Sequence, residues 1–305
     1  MSEPRLLRIY LDPVMLKMGR EGTFGFVNRV REAFEGVDFR VDLVRDTEAE
    51  RLKSAARRGY SLFLMKEPFH PRALSMRRAY YYPYWRIEKS AERWAFDVAR
   101  KSFDSSEIDP HTAETWAANW GRYLFGDGPA RALREPMVYI PLQGRLLEHR
   151  SFQSMSPLAM IREIQARAGD RRIVVGLHPG ETYLPEEIAA LETLTQADSR
   201  LILQTGGMQE ALRCCDLVVT QNSTAALSGF FFQKPAILFA KSDFHHQMPG
   251  IVELGIDEAF RRAQQRTPDF ARYLYWFIHL NAIKADEPEA PERILSRCRD
   301  HGWTV

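Results

Sequence analysis

The sequence is short of several things, and each shortage excludes a class of protein. Only three of its 305 residues are cysteine, and Cys214 and Cys215 are adjacent while Cys298 stands alone. An odd count without metal-ligand spacing excludes a disulfide scaffold and a zinc module, and points to a reducing compartment. No apolar run approaches the roughly 18 residues that cross a bilayer. The opening MSEPRLLRIYL has no apolar core of the kind a secretory signal carries. A cytoplasmic protein is expected, with contact at the inner-membrane surface left open. Excess charge of one sign is also missing: 42 Lys or Arg face 40 Asp or Glu, for a net charge of +2. A dedicated nucleic-acid binder would be far more basic. Internal repeats, low-complexity tracts, a dinucleotide-type glycine fingerprint and an Asp-x-Asp pair are all absent.

What remains is a chain long enough for about two domains, with an ordinary 45% of hydrophobic residues. The first half opens with an apolar run from Leu6 to Leu11, then Gly19, Gly22 and Gly25, then Phe26, Val27, Val30, Ala33 and Phe34 at helical spacing. A half-buried alternation follows at Phe39–Val44, a charged helix-prone stretch at 47–58, and a second apolar run at Tyr60–Met65. Alternating strand and helix signals imply a parallel sheet. Residues 66–125 are less regular, rich in proline and aromatics, with helices expected at 86–102 and 112–125. Between Arg51 and Lys101 stand 13 Lys or Arg against 4 Asp or Glu. That excess reads either as a solvated surface or as a face for an anionic partner.

The rhythm restarts at Met137. Strands are expected at 138–142, 173–177, 200–204, 217–220 and 236–240, separated by helices at 157–168, 185–194, 208–214 and 223–232. This is a second doubly wound α/β domain. Helices at 257–265, 268–284 and 289–300 follow. The glycines and prolines between Gly126 and Pro136 place the boundary near residue 130. The expected organisation is an α/β domain over 1–130, a second over 131–265, and a helical tail over 266–305 that packs back on the first. Two Rossmann-like domains with parallel sheets and a helical C-terminal tail describe the GT-B layout, which some epimerases and two-domain binding proteins share.

Chemistry in such a sheet belongs beyond the carboxyl ends of the strands. His178-Pro179-Gly180 stands there, as a turn or as a donor to a phosphate or sugar carboxylate. Asn222-Ser223-Thr224 also stands there and opens an apolar helix. A helix N-cap and a phosphate site use the same free N–H groups, so both roles fit. In the first half, the loop from Gly19 to Gly25 lets a ligand approach the backbone at Gly22 and Gly25, or is a plain flexible loop. Glu67 and His70 follow a strand and are candidates for the general base of an acceptor hydroxyl, or turn residues beside prolines. Tyr80 to Trp85 reads as packing or as a sugar-stacking surface. His245-His246 has no third ligand spaced nearby, so no metal is expected.

Four pieces occur in order: Val138-Tyr139-Ile140-Pro141-Leu142-Gln143 with Phe152-Gln153-Ser154; Val174-Val175-Gly176-Leu177-His178-Pro179; Cys215-Asp216-Leu217-Val218-Val219-Thr220-Gln221-Asn222-Ser223-Thr224; and Lys234-Pro235-Ala236-Ile237-Leu238 ending in Phe244-His245. Together they resemble the bacterial capsular-polysaccharide biosynthesis family, which includes the Kdo glycosyltransferases that build the lipid-linked linker of capsules. The resemblance implies a GT-B fold, a nucleotide-sugar donor such as CMP-Kdo, and no metal or other cofactor. It implies donor binding by Gln143, His178, Asn222, Ser223 and Thr224. The implied acceptor is a surface polysaccharide or an anionic glycolipid, with no nucleic-acid partner. Two positions depart from the family pattern. Gly176 stands where a basic residue is usual two before the His, and Ser228 where a Glu is usual in the helix after Asn-Ser-Thr. Both departures favour a non-catalytic nucleotide- or glycan-binding protein as the alternative to the transferase, and a nucleotide-sugar epimerase is a third reading.

Overall fold

The computed structural model describes residues 4–305. Eleven strands run in chain order: β1 (Leu6–Leu11), β2 (Arg40–Arg45), β3 (Tyr60–Leu64), β4 (Ala73–Arg78), β5 (Tyr84–Glu88), β6 (Met137–Pro141), β7 (Arg172–Leu177), β8 (Leu201–Thr205), β9 (Leu217–Thr220), β10 (Ala236–Leu238) and β11 (Ile283–Lys284). They form two sheets, and the chain divides into two compact units, Met1–Lys101 with Phe277–Val305, and Ser102–Trp276. The sequence-based limits at 130 and 265 both fall inside the second unit.

The first sheet has the order β11-β5-β4-β3-β1-β2. β2, β1, β3 and β4 are parallel, and β5 and β11 are antiparallel additions at one edge. The chain builds outward from β1 to β2, then reverses to β3 on the other side. The helices Pro13–Arg20, Gly25–Glu35 and Ala290–Asp300 belong to this unit. Asp12 caps the first of them, accepting from the N–H groups of Val14 and Met15. The apolar stripe Phe26, Val27, Val30, Ala33, Phe34 expected from helical spacing is buried as one face. Phe26 stacks on Trp85 with ring centres 4.6 Å apart, and Trp303 stacks on Tyr60 at 4.4 Å.

The second sheet is wholly parallel, in the order β10-β9-β6-β7-β8. β6 is buried along its full length, as a central parallel strand must be. Ser156 caps the helix Pro157–Arg167 by accepting from the Ala159 N–H at 3.2 Å. The chain winds from β6 to β8 on one side, returns to β9 on the other, and so reverses between β6 and β9.

Two expected helices need correction. Residues 86–102 are not one helix: β5 runs to Glu88, and only Asp97–Arg100 is α-helical. Alternation of buried residues with Arg86 and Glu88, themselves buried through ion pairs and carbonyl contacts, had hidden the strand. β3 and β4 are joined by residues 65–72 without a helix. The expected helix over 268–284 is α-helical only at Phe270–Leu274, widens into a π-helical turn at Tyr275–Leu280, and ends in β11. The division between units falls within that π-helical turn.

Candidate functional site

The carboxyl edge of the second sheet is where the loops after β6, β7 and β9 emerge, and it holds the sheet's reversal point. In an open α/β sheet that crevice is the default ligand site. Thr220 ties the two central strands at this edge by donating from its hydroxyl to the Pro141 carbonyl at 3.1 Å. The Glu187 carboxylate, only 3% exposed, joins the next two loops. One of its oxygens accepts from the Leu146 N–H and the other from the Leu184 N–H at 2.9 Å. A buried carboxylate holding two backbone donors fixes their loops in place, because leaving it unpaired would be costly. Glu181 lies over Gly144, where an added β-carbon would stand 2.9 Å from its carboxylate.

His178 is exposed on this edge. Its Nδ1 accepts from the Gly180 N–H at 3.1 Å and its own N–H donates to the Tyr183 hydroxyl at 2.8 Å. An accepting Nδ1 assigns the neutral ring's proton to Nε2. Nε2 is therefore a donor, and it has no protein partner among the described residues. One ring nitrogen closes the turn, and the other is left as a donor without a partner among the described residues.

Asn222 is half-buried and donates from Nδ2 to the Lys241 carbonyl at 3.0 Å. Ser223 is the N-cap of the helix Thr224–Phe231, accepting from the Ala225 N–H at 3.2 Å. Asn222 and Ser223 thus hold the helix start, and Thr224 is its first residue. Gln143 is exposed in the loop after β6. The sheet order puts β6 between β7 and β9, so His178 and the helix start lie about two strand spacings apart, roughly 10 Å.

Sequence reasoning assigned no role to Arg150, Gln153, Gln221 or Glu187. Arg150 and Gln221 line a small recess with Gln143 and Thr220. Gln221 donates to the Met155 carbonyl at 3.0 Å, and Gln153 accepts from the Arg150 N–H at 2.8 Å, which fixes both amide orientations. Their remaining amide atoms, Gln221 Oε1 and Gln153 Nε2, are buried without partners. Burial and the neighbouring Arg145 push the Arg150 guanidinium below its ordinary value. The edge therefore offers a basic group, a free imidazole N–H and the open N–H groups of a helix start, a donor set suited to an anion.

Both departures from the family pattern have a physical cause or place. A β-carbon at Gly176 would meet Tyr139 ring atoms at 2.8 Å. Ser228 is buried, at 3% exposure.

In the first unit, the crossover after β3 separates the two candidate bases. Glu67 Oε2 accepts from the Ala91 N–H at 2.6 Å and the Ser90 hydroxyl at 3.0 Å, and its other oxygen accepts no hydrogen bond among the described residues. His70 is carried back to the amino end of β4, where its carbonyl accepts from the Ala73 N–H at 3.0 Å. Its Nε2 is 2.9 Å from the buried Ser54 hydroxyl and its Nδ1 is buried without a partner. Burial and Arg72 push the His70 imidazole below its usual range. The expected place of His70 at a carboxyl end is thus corrected. Gly22 has φ +73° and accepts from the Asn28 side chain at 2.6 Å. Gly25 starts a helix, with the Tyr82 hydroxyl 3.1 Å from where its β-carbon would be.

His245 and His246 stack on each other and bond to the Ser242 carbonyl and the Tyr273 hydroxyl. Among the described residues, one group has metal-like proximity: Glu88, Asp97 and His301. Arg297 already bridges those two carboxylates at 2.9 and 2.6 Å, and His301 Nε2 donates to the Ile87 carbonyl at 3.0 Å. The guanidinium takes the place a cation would need.

No family model matches the sequence, and no curated protein does. Solved structures do. The KpsC β-Kdo 2,7-transferase of Thermosulfurimonas dismutans aligns over 95% of this chain and 98% of its own, with TM-score 0.50 and 11% identity. The wall teichoic acid polymerase TagF, as its H444N variant, aligns over 97% and 88% with TM-score 0.32 and 10% identity. The UDP-GlcNAc 2-epimerase of Methanocaldococcus jannaschii, in complex with UDP-GlcNAc and UDP, aligns over 97% and 99% with TM-score 0.35 and 9% identity. At such identities the first likeness shows the fold, and the chain has the α/β fold of the GT-B type. No helix among the described residues is long and apolar enough to cross a membrane.

Proposed function

We propose that the protein is a metal-independent glycosyltransferase that moves a sugar from a nucleotide donor to a surface-polysaccharide or glycolipid acceptor, with CMP-Kdo as the donor of first choice. The observation that carries this reading is the carboxyl edge of the second sheet. There an unpartnered His178 Nε2–H and the helix start at Thr224 stand on loops that Thr220 and Glu187 hold in place. Those groups suit a donor phosphate. Similarity to the KpsC transferase in fold, and to the quoted family in its ordered motifs, supports the same reading.

In this reading the acceptor hydroxyl oxygen attacks the anomeric carbon while the bond from that carbon to the donor phosphate oxygen breaks. The hydroxyl proton passes to a carboxylate, for which Glu67 with its free oxygen is the candidate. His178 and the helix start offset charge on the departing nucleotide phosphate. His70 drops out of this scheme because its ring is held against Ser54.

A second reading has its own observation. Tyr139 fills the space a side chain at Gly176 would need, and Ser228 is buried, so two positions the family uses are closed. These favour a non-catalytic binder of a nucleotide or glycan.

A nucleotide panel followed by thermal shift and titration separates the readings. The transferase reading expects a response to CMP and CMP-Kdo, with release of CMP when an acceptor is supplied. A response without turnover supports the binder, and a response to UDP-sugars alone supports an epimerase. His178→Ala should weaken nucleotide binding about 5- to 150-fold, as loss of one hydrogen bond to a phosphate does, with the melting temperature little changed. An unchanged affinity together with a lowered melting temperature would sink the donor-site assignment.

A further inference from the structure

The first sheet has its own reversal point, between β1 and β3, and its carboxyl edge there carries exposed apolar side chains. Register aligns Leu11 with Arg45, Tyr10 with Phe63, and Leu64 with Met76, so β2, β1, β3 and β4 end side by side. Just past those ends, three successive strands present an exposed large apolar side chain: Val14 at 66%, Met65 at 51% and Tyr82 at 52% exposure. Scattered exposed apolar residues are ordinary, but a row of them at a reversal point marks a binding surface. Met65 also holds a left-handed backbone, φ +56°, of the kind that clusters at ligand sites.

Tyr82 sits on a stiff support. It belongs to the tip joining β4 to β5, where the Ala79 N–H donates to the Tyr84 carbonyl at 2.8 Å and the Tyr84 N–H to the Tyr81 carbonyl at 2.9 Å. The Arg93 guanidinium lies 3.9 Å from the Tyr80 ring centre and donates to the Arg78 carbonyl at 3.1 Å. An aromatic ring held out to solvent by a rigid tip loses little freedom when it binds.

The same edge carries charge without ion-pair partners among the described residues, although the Arg78 guanidinium lies 6.0 Å from the Trp85 ring centre. Arg45 ends β2, Lys66 follows β3 and Arg78 ends β4, and none of the three forms an ion pair among the described residues. In the surrounding stretch, Arg51, Lys53, Arg57 and Arg100 all do. The basic excess read from the sequence thus includes cations paired internally and, at this edge, Lys66 and Arg78, with Arg45 of β2 beside them. From β2 to β4 they span about three strand spacings, roughly 14 Å.

We infer that this edge is a platform for an anionic saccharide, with the Tyr82 ring stacking on a sugar and Arg45, Lys66 and Arg78 reading its carboxylate or phosphate groups. The inference rests on the glycosyl-transfer reading and names the residues that select the acceptor. Sugar C–H faces pack on aromatic rings, and guanidinium and ammonium groups make charge-assisted bonds to sugar acids.

Titration with tetragalacturonate, with maltotetraose, and with saccharide-free phosphatidylglycerol vesicles tests it. Tetragalacturonate should bind the wild type, more weakly as salt rises past about 0.15 M, and maltotetraose should bind at least about 3-fold more weakly. Tyr82→Ala should cost about 3- to 10-fold in affinity for the acid saccharide, while Tyr82→Phe keeps it. The triple change R45Q, K66Q and R78Q should remove the preference for the acidic over the neutral saccharide. Should Tyr82→Ala fail to fold, the triple variant, exposed at every position, decides alone. Equal binding of the two saccharides, or full affinity in both variants, overturns the platform. So does binding of saccharide-free vesicles with the same residue dependence. Nucleotide titration on the same samples separates the two claims. Nucleotide binding without acid-saccharide binding sinks the platform alone, and acid-saccharide binding without any nucleotide binding sinks the transferase reading alone.

Discussion

Gly176 on β7 and Tyr139 on β6 occupy one space: a β-carbon on the glycine would stand 2.8 Å from the tyrosine ring. The missing side chain and the buried ring are two halves of one packing choice. Gly176→Ala should therefore destabilise the fold by about 1–3 kcal/mol through overpacking. Paired with Tyr139→Leu, the two changes should cost less than their separate effects added together. Urea unfolding of the two single variants and the double variant measures this, and strict additivity would refute the shared-space account.

Glu187 makes a second testable link, between loops 41 residues apart in the case of Leu146. Glu187→Gln replaces one accepting oxygen by a donor that faces a backbone N–H. The expected loss is about 1–3 kcal/mol, the usual cost of an unsatisfied buried group. Hydrogen exchange should quicken in both segments, 142–148 and 178–184, and nucleotide affinity should fall with it. Faster exchange in only one loop would show that Glu187 does not couple them.

Acid should loosen the first unit. Burial holds the imidazoles of His70, His279 and His301 below their usual range, with nearby Arg72 adding to this at His70 and Arg297 at His301. The unfolded chain takes up a proton near the ordinary value of 6.5, whereas the folded chain does so only at lower pH. Stability from these groups is complete above that value and is lost as pH falls toward the folded ones. Glu88 acts oppositely, because burial raises its carboxyl above 4.5, so protonation favours the folded form there. Urea midpoints should fall from pH 7.5 to 5.5. His301→Gln, whose amide still donates toward the Ile87 carbonyl, should make that decline shallower. A flat profile in the wild type would contradict the assignment.

Gly25→Ala should separate stability from binding. Its new methyl would sit 3.1 Å from the Tyr82 hydroxyl, the far end of an exposed side chain that can move aside. Stability should change by no more than about 0.5 kcal/mol. Acid-saccharide affinity should drop because the ring shifts, and adding Tyr82→Phe should restore it. Affinity equal to wild type in Gly25→Ala would mean that the ring's position does not matter.

The sheets were legible because hydrophobic runs at Leu6–Leu11, Tyr60–Leu64 and Met137–Pro141 alternate with helical patterns such as Phe26 to Phe34, and both are local signals. β4 and β5 were not legible. Arg77, Arg86 and Glu88 interrupt the expected apolar pattern, and their charges are met by groups distant in sequence, such as the carbonyl of Asn281 and the guanidinium of Arg297. The same holds at the candidate site. His178 and Asn222-Ser223-Thr224 announce themselves by turn and cap chemistry, and their places at strand ends follow from the strand pattern. Glu187 and Gln221 act through backbone partners that no spacing rule reveals. His70 was misplaced because residues 65–72 return to the amino end without a helix, and a Pro-rich run does not state which way it travels. Gly176 became meaningful only beside Tyr139, a neighbour in the sheet and not in the chain.

The second unit is one continuous piece of chain, from Ser102 to Trp276, whereas the first needs residues from both sides of it. β11, the helix Ala290–Asp300 and Trp303 are made only after the entire second unit has been synthesised. Until then, Phe34 and Tyr60 lack the Trp303 ring that packs 6.2 and 4.4 Å from them. The nascent first unit thus stays incomplete until Trp303 is added, with part of its apolar surface uncovered. A chain halted after residue 276 would hold every strand of the second sheet yet lack the last strand of the first, leaving Phe34 and Tyr60 without their cover.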